Sequence, residues 1–87
     1  MKINENFILR EVADRFVVVA VGDAMANFDG VITLNGTGAF LWRLLQKGAD
    51  EDGLVSAMLN EYEVDEAKAR ADVRAFITKL TAAKILK

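Results

Sequence analysis

The chain has 87 residues, 53% of them hydrophobic, and contains no cysteine, histidine or proline. A chain of this size makes one domain, 1–87, close to the lower limit for a self-sufficient core and with little room for a deep substrate cleft. The missing residue types exclude disulfides, thiolate metal sites, thiol nucleophiles and the commonest general base. Net charge is −2, which disfavours duplex nucleic acid as a partner.

The charge is uneven: residues 1–64 carry five basic and ten acidic side chains, residues 65–87 six basic and three acidic ones. The N-terminal stretch MKINENFILREVADRF has acidic residues where a signal peptide would carry its apolar segment. The longest apolar run, FVVVAVG, is too short to cross a bilayer. A cytoplasmic protein with no membrane partner is expected.

The first predicted element is FILREV (7–12), which alternates as a half-buried strand does. Ala13-Asp14 then turns the chain into RFVVVAV (15–21), a Val-rich run suited to a central strand covered on both faces, the two forming a hairpin. Residues 22–29 read as a loop or as a short strand ending at the Asp29-Gly30 turn signal. VITL (31–34) is extended, and NGTG breaks it: Asn35 or Thr37 is suited to cap the next helix, and the glycines permit a sharp change of direction.

Three helices follow. The first runs over about 38–47 to Gly48, with Phe40, Leu41, Leu44 and Leu45 at helical spacing and Trp42 on the flank. The second, about 51–61, is capped by Asp50 and presents Leu54, Ala57 and Met58. Val64 precedes Asp65, the predicted cap of the longest helix, about 66–83. In that helix Ala69, Val73, Phe76 and Leu80 share a narrow core-facing arc, with Arg70, Arg74, Ile77 and Thr81 on one shoulder and Asp65, Asp72 and Lys79 on the other. Ile85-Leu86 is expected to fold back on the core. Strands first and helices after give an α+β domain, a three-stranded antiparallel sheet followed by a three-helix cluster.

Motifs for chemistry are weak. The carboxylates at 50–52, 61 and 63 sit at helix ends, where acids belong for capping and dipole reasons. NGTG lacks the Lys-Ser/Thr of a phosphate loop, and Thr37 has no base beside it. Phe40, Trp42 and Phe76 fall in apolar stripes, where core packing is the better reading than stacking on a base or cofactor. Neither catalysis nor a cofactor is expected.

One feature resists a purely structural account. VITL carries no charge and the chain no proline, the usual means of blunting a sheet edge. An open edge there, beside a helix shoulder bearing Arg70, Arg74 and Ile77, makes a groove for an extended peptide, with backbone bonds supplying affinity. Pairing with a second copy of the chain is the other use of such an edge.

The run FILREVADRFVVVAVGDAMANFDGVITLNGTGAFLWRLLQKGAD, followed by a helix containing ARADVRAFITKL, resembles the PqqD-like family over nearly the whole chain, most specifically in ITLNGTGAFLW and DVRAFI. The resemblance implies a winged-helix-like fold and a non-catalytic, peptide-recognition role in pathways to ribosomally made, modified peptides, pyrroloquinoline quinone synthesis among them. It implies that the leader segment of a precursor adds a strand beside the third strand, Gly30, Val31, Ile32, Thr33 and Leu34, and packs against the third helix at Arg70, Val73, Arg74 and Ile77. A tailoring enzyme, often a radical-SAM protein, is the implied second partner. Fold analogy alone offers a winged-helix DNA-binding domain as the alternative, against which stand Asp65, Glu66 and Asp72 in the third helix. A small enzyme is the remaining competitor.

Overall fold

The computed structural model describes residues 1–22 and 32–87. Three strands, β1 (Phe7–Val12), β2 (Arg15–Ala20) and β3 (Ile32–Leu34), precede three helices, α1 (Gly36–Lys47), α2 (Glu51–Glu61) and α3 (Glu66–Ala82). The sheet is antiparallel and open, in the order β1-β2-β3. The expected loop or strand at 22–29, and the Gly30 and Val31 end of the expected third strand, lie outside the described residues apart from Gly22.

The β1–β2 hairpin closes on Val12 opposite Arg15, leaving Ala13 and Asp14 as a two-residue loop. Ala13 takes a left-handed φ of 56°, a conformation in which its Cβ crowds the following carbonyl. Ala13→Gly removes that crowding, and even after the larger chain entropy that glycine loses on folding it stabilises the domain by about 0.5–1 kcal/mol. Urea unfolding of the two proteins measures the difference.

Alternation along the strands sends Phe7, Leu9, Phe16, Val18, Ala20, Ile32 and Leu34 to the core, where Val18 is fully buried. Val17 and Val19 point the other way, half-buried and outside the core cluster. β2 is thus central in the sheet, but among the described residues its helical cover lies on one face, not two.

Each helix starts where a side-chain oxygen receives an otherwise unpaired first-turn amide. Gly38 N–H donates to Asn35 Oδ1 at 2.8 Å, Gly53 N–H to Asp50 Oδ1 at 2.7 Å, and Lys68 N–H to Asp65 Oδ1 at 2.8 Å. Asn35 rather than Thr37 is therefore the first cap, and α1 begins at Gly36, two residues before the expected start. Glycine at 38 avoids a tight fit: a Cβ there would lie 3.2 Å from the Leu34 Cβ and 3.3 Å from the capping oxygen. The first turn of α1 thereby sits directly on the end of β3.

Trp42 lies in the centre of the core, fully buried, instead of on a flank of α1. Leu41, Leu45, Leu54, Val55, Met58, Ala69, Val73, Phe76 and Leu80 surround the same core, so α2 contributes Val55 as well as the expected Leu54 and Met58. Ile85 is fully buried and Leu86 bridges Ile3, which draws the two chain ends together as a lid on the core. None of the helices in the described residues is long and apolar enough to cross a membrane.

Candidate functional site

The direction of each backbone group at the sheet edge follows from the ladder. Val21 N–H donates to Asn6 O at 2.7 Å, so the odd-numbered residues of β2 turn their amides and carbonyls to β1. Antiparallel ladders alternate, so Phe16 and Val18 turn theirs to β3, where they face Leu34 and Ile32. Ile32 and Leu34 are thus spent on β2, and Thr33 points its N–H and C=O outward. No strand among the described residues pairs with that side of β3. Thr33 is itself solvent-exposed.

Beside this edge runs an open cleft of about 400 Å³. Thr33, Leu34, Asn35, Thr37, Gly38 and Leu41 form one wall, from β3 into the first turns of α1. Lys68, Asp72, Ala75, Phe76 and Lys79 form the other, a stripe along α3. Leu41 and Phe76 are apolar and almost fully buried, Ala75 is exposed, and the charges stand along the helix. The Lys68 ammonium is held by both carboxylate oxygens of Asp72, at 2.7 and 2.8 Å. Lys79 has no ion-pair partner among the described residues.

Of the expected strand residues, Thr33 and Leu34 line the cleft and Ile32 pairs with β2. The expected α3 residues lie elsewhere. Val73 is fully buried in the core and Ile77 is half-buried against it. Arg70 and Arg74 turn to α2: Arg70 Nη1 bonds Glu51 Oε2 at 2.5 Å and lies 3.0 Å from Asp52 Oδ1, while Arg74 Nε is 3.2 Å from both Glu51 oxygens. None of these four lines the cleft. α2 packs on one shoulder of the core-facing arc, so the opposite shoulder, with Asp72 and Lys79, is turned to β3.

The arginine side of α3 is an interhelical clamp. Arg74 first and Arg70 second hold the Glu51 carboxyl below the usual carboxylate range, partly opposed by desolvation. Because that pKa is lower in the folded than in the unfolded chain, the clamp's stabilisation is complete above the unfolded value and is lost as pH falls through the folded one. Acidification through that window lowers the melting temperature of the native protein more than that of Glu51→Gln, as thermal melts across the acidic range will register.

One edge of β3 has no paired strand among the described residues and runs beside the cleft, and no metal-ligand cluster occurs among those residues; an edge of this kind is a template to which another polypeptide can add a strand. The family model described as coenzyme PQQ synthesis protein D (PqqD) matches residues 16–86, and the chain belongs to that family. It is similar in structure to TbiB1 in its complex with the TbiA(beta) leader peptide, at 25% sequence identity, with a TM-score of 0.80, over 100% of this chain and 95% of that one. It shares its fold with lasso peptide synthetase B1 complexed with the leader peptide, at 21% identity, with a TM-score of 0.73, over 93% of this chain and 89% of that one. No curated protein matches the chain.

Proposed function

We propose that this chain is a non-catalytic peptide adaptor that binds the leader segment of a ribosomally made precursor by strand addition to β3 and presents it to a modifying enzyme. The observation that carries this reading is the outward-facing N–H and C=O of Thr33 at the edge of an open sheet, directly above the cleft. Family membership and the likeness to a protein solved with a leader peptide support it.

The residues proposed to hold the peptide are Thr33 and Leu34 on the strand side and Lys68, Asp72, Ala75, Phe76 and Lys79 on the helix side. The whole of 1–87 acts as one binding domain in the cytoplasm, and the partner enzyme is of the radical-SAM type. Without peptide, the same edge is open to a second copy of the chain. A leader peptide binds in the micromolar range or tighter, about −8 kcal/mol. Titrating the peptide into isotopically labelled protein moves the amide signals of residues 32–34 and of the Lys68–Lys79 stripe; shifts confined to the Arg70–Glu51 side would overturn the reading.

A further inference from the structure

We infer that the cleft selects an extended peptide carrying an apolar side chain and, two residues from it, a carboxylate that pairs with Lys79. The inference rests on the strand-addition reading and adds to it a sequence preference.

A strand added to β3 exchanges hydrogen bonds with Thr33, and the residue opposite Thr33 points its side chain to the same face as Thr33, away from the core. The residues on either side of it then point to the face of Leu34, into the cleft. Groove-facing side chains therefore recur every second residue, about 6.6 Å apart. The α3 stripe from Lys68 to Lys79 spans twelve residues, about 16 Å of helical rise, long enough for three such side chains.

The helix meets these three places differently. At the first, Lys68 and Asp72 neutralise each other through two short bonds, so a charged peptide side chain of either sign finds its counter-ion already taken. At the second, the helix presents the exposed Ala75, with Phe76 and Leu41 almost fully buried, and none of the three carries a charge. At the third, Lys79 is a cation without an ion partner among the described residues. Opposite charge is rewarded only there. The two arginines that make this helix look broadly cationic are occupied by Glu51 and contribute nothing to the choice.

The test begins with a displayed library of random ten-residue peptides selected on the full chain. Enriched peptides are synthesised with Glu, Gln or Lys at the position two residues from the apolar one. The expected result is enrichment of an apolar residue and an acid at that spacing, with the Glu peptide binding the native protein about five- to tenfold tighter than the Lys peptide, the size of an exposed ion pair plus the repulsion that replaces it. Lys79→Glu reverses the order, and Lys79→Gln abolishes it. Lys68→Gln leaves it in place.

Selected peptides that lose affinity on Thr33→Pro but ignore charge at Lys79 overturn this inference and leave strand addition standing. Peptides indifferent to Thr33→Pro, or a selection that yields no binders, overturn both.

Discussion

Replacing Thr33 by proline weakens leader-peptide binding about a hundredfold and leaves the domain folded. Proline removes the one N–H that β3 offers outward and leaves a carbonyl of the added strand without its donor. A lost hydrogen bond contributes about 1 kcal/mol and a stranded acceptor a further 1–3 kcal/mol, and each 1.4 kcal/mol is a factor of ten in affinity. The fold tolerates the change because the β2–β3 ladder runs through Ile32 and Leu34, not Thr33, and proline is accepted on an edge strand where its missing N–H faces outward. Binding is read by calorimetry and folding by circular dichroism. A Thr33→Pro protein that binds as tightly as the native one would refute strand addition at this edge. Thr33→Val, which keeps the backbone donor, binds as the native protein does.

The largest loss of stability is expected at Trp42. Its side chain is fully buried, and its indole Nε1 is buried without an acceptor among the described residues. Trp42→Ala empties the middle of the core and costs about 3–5 kcal/mol. Against the 5–15 kcal/mol that holds a typical domain together, that leaves this small one close to unfolding at physiological temperature. Trp42→Phe behaves quite differently. It gives up part of the indole's volume but also removes a buried donor, whose unsatisfied burial carries a penalty of about 1–3 kcal/mol. The two effects oppose, and the net change is about 1 kcal/mol or less. Urea midpoints for the three proteins order as native and Trp42→Phe close together, with Trp42→Ala far below. A Phe variant as damaged as the Ala variant would mean that the indole nitrogen is bonded after all. The native protein's single tryptophan also reports its own unfolding by fluorescence.

Local chemistry was legible wherever a residue acts on its own neighbours. Asp50 and Asp65 cap helices because a carboxylate before an apolar-periodic stretch has three unpaired amides within reach, and the structure places both where capping logic puts them. The core arc of α3 followed from spacing alone, since Ala69, Val73, Phe76 and Leu80 are 3–4 residues apart. Asn35 and Thr37 were both candidate caps by type; the structure uses Asn35, whose side-chain oxygen accepts from Gly38 N–H at 2.8 Å.

The site was legible in outline only. An uncharged, proline-free strand pointed to an open edge, but periodicity gives both shoulders of a helix equal standing and does not say which of them another element will cover. Arg70 and Arg74, the more conspicuous cations, are on the covered one because Glu51 and Asp52 stand at the start of α2, far away in the chain. The quieter stripe of Lys68, Asp72 and Lys79 is left to face the strand.

What the amino-acid order determined by itself is therefore the set of elements, their caps, their buried faces and the lack of thiol and imidazole chemistry, all consequences of contacts spanning a few residues. What only the tertiary structure decided is the pairing of faces: that β3 lies at the sheet's edge among the described residues, that Thr33 and not its neighbours turns its backbone away from β2, and that α3 offers its lysine side to the cleft. Those outcomes depend on which distant surfaces bury each other most completely, and no local spacing carries that information.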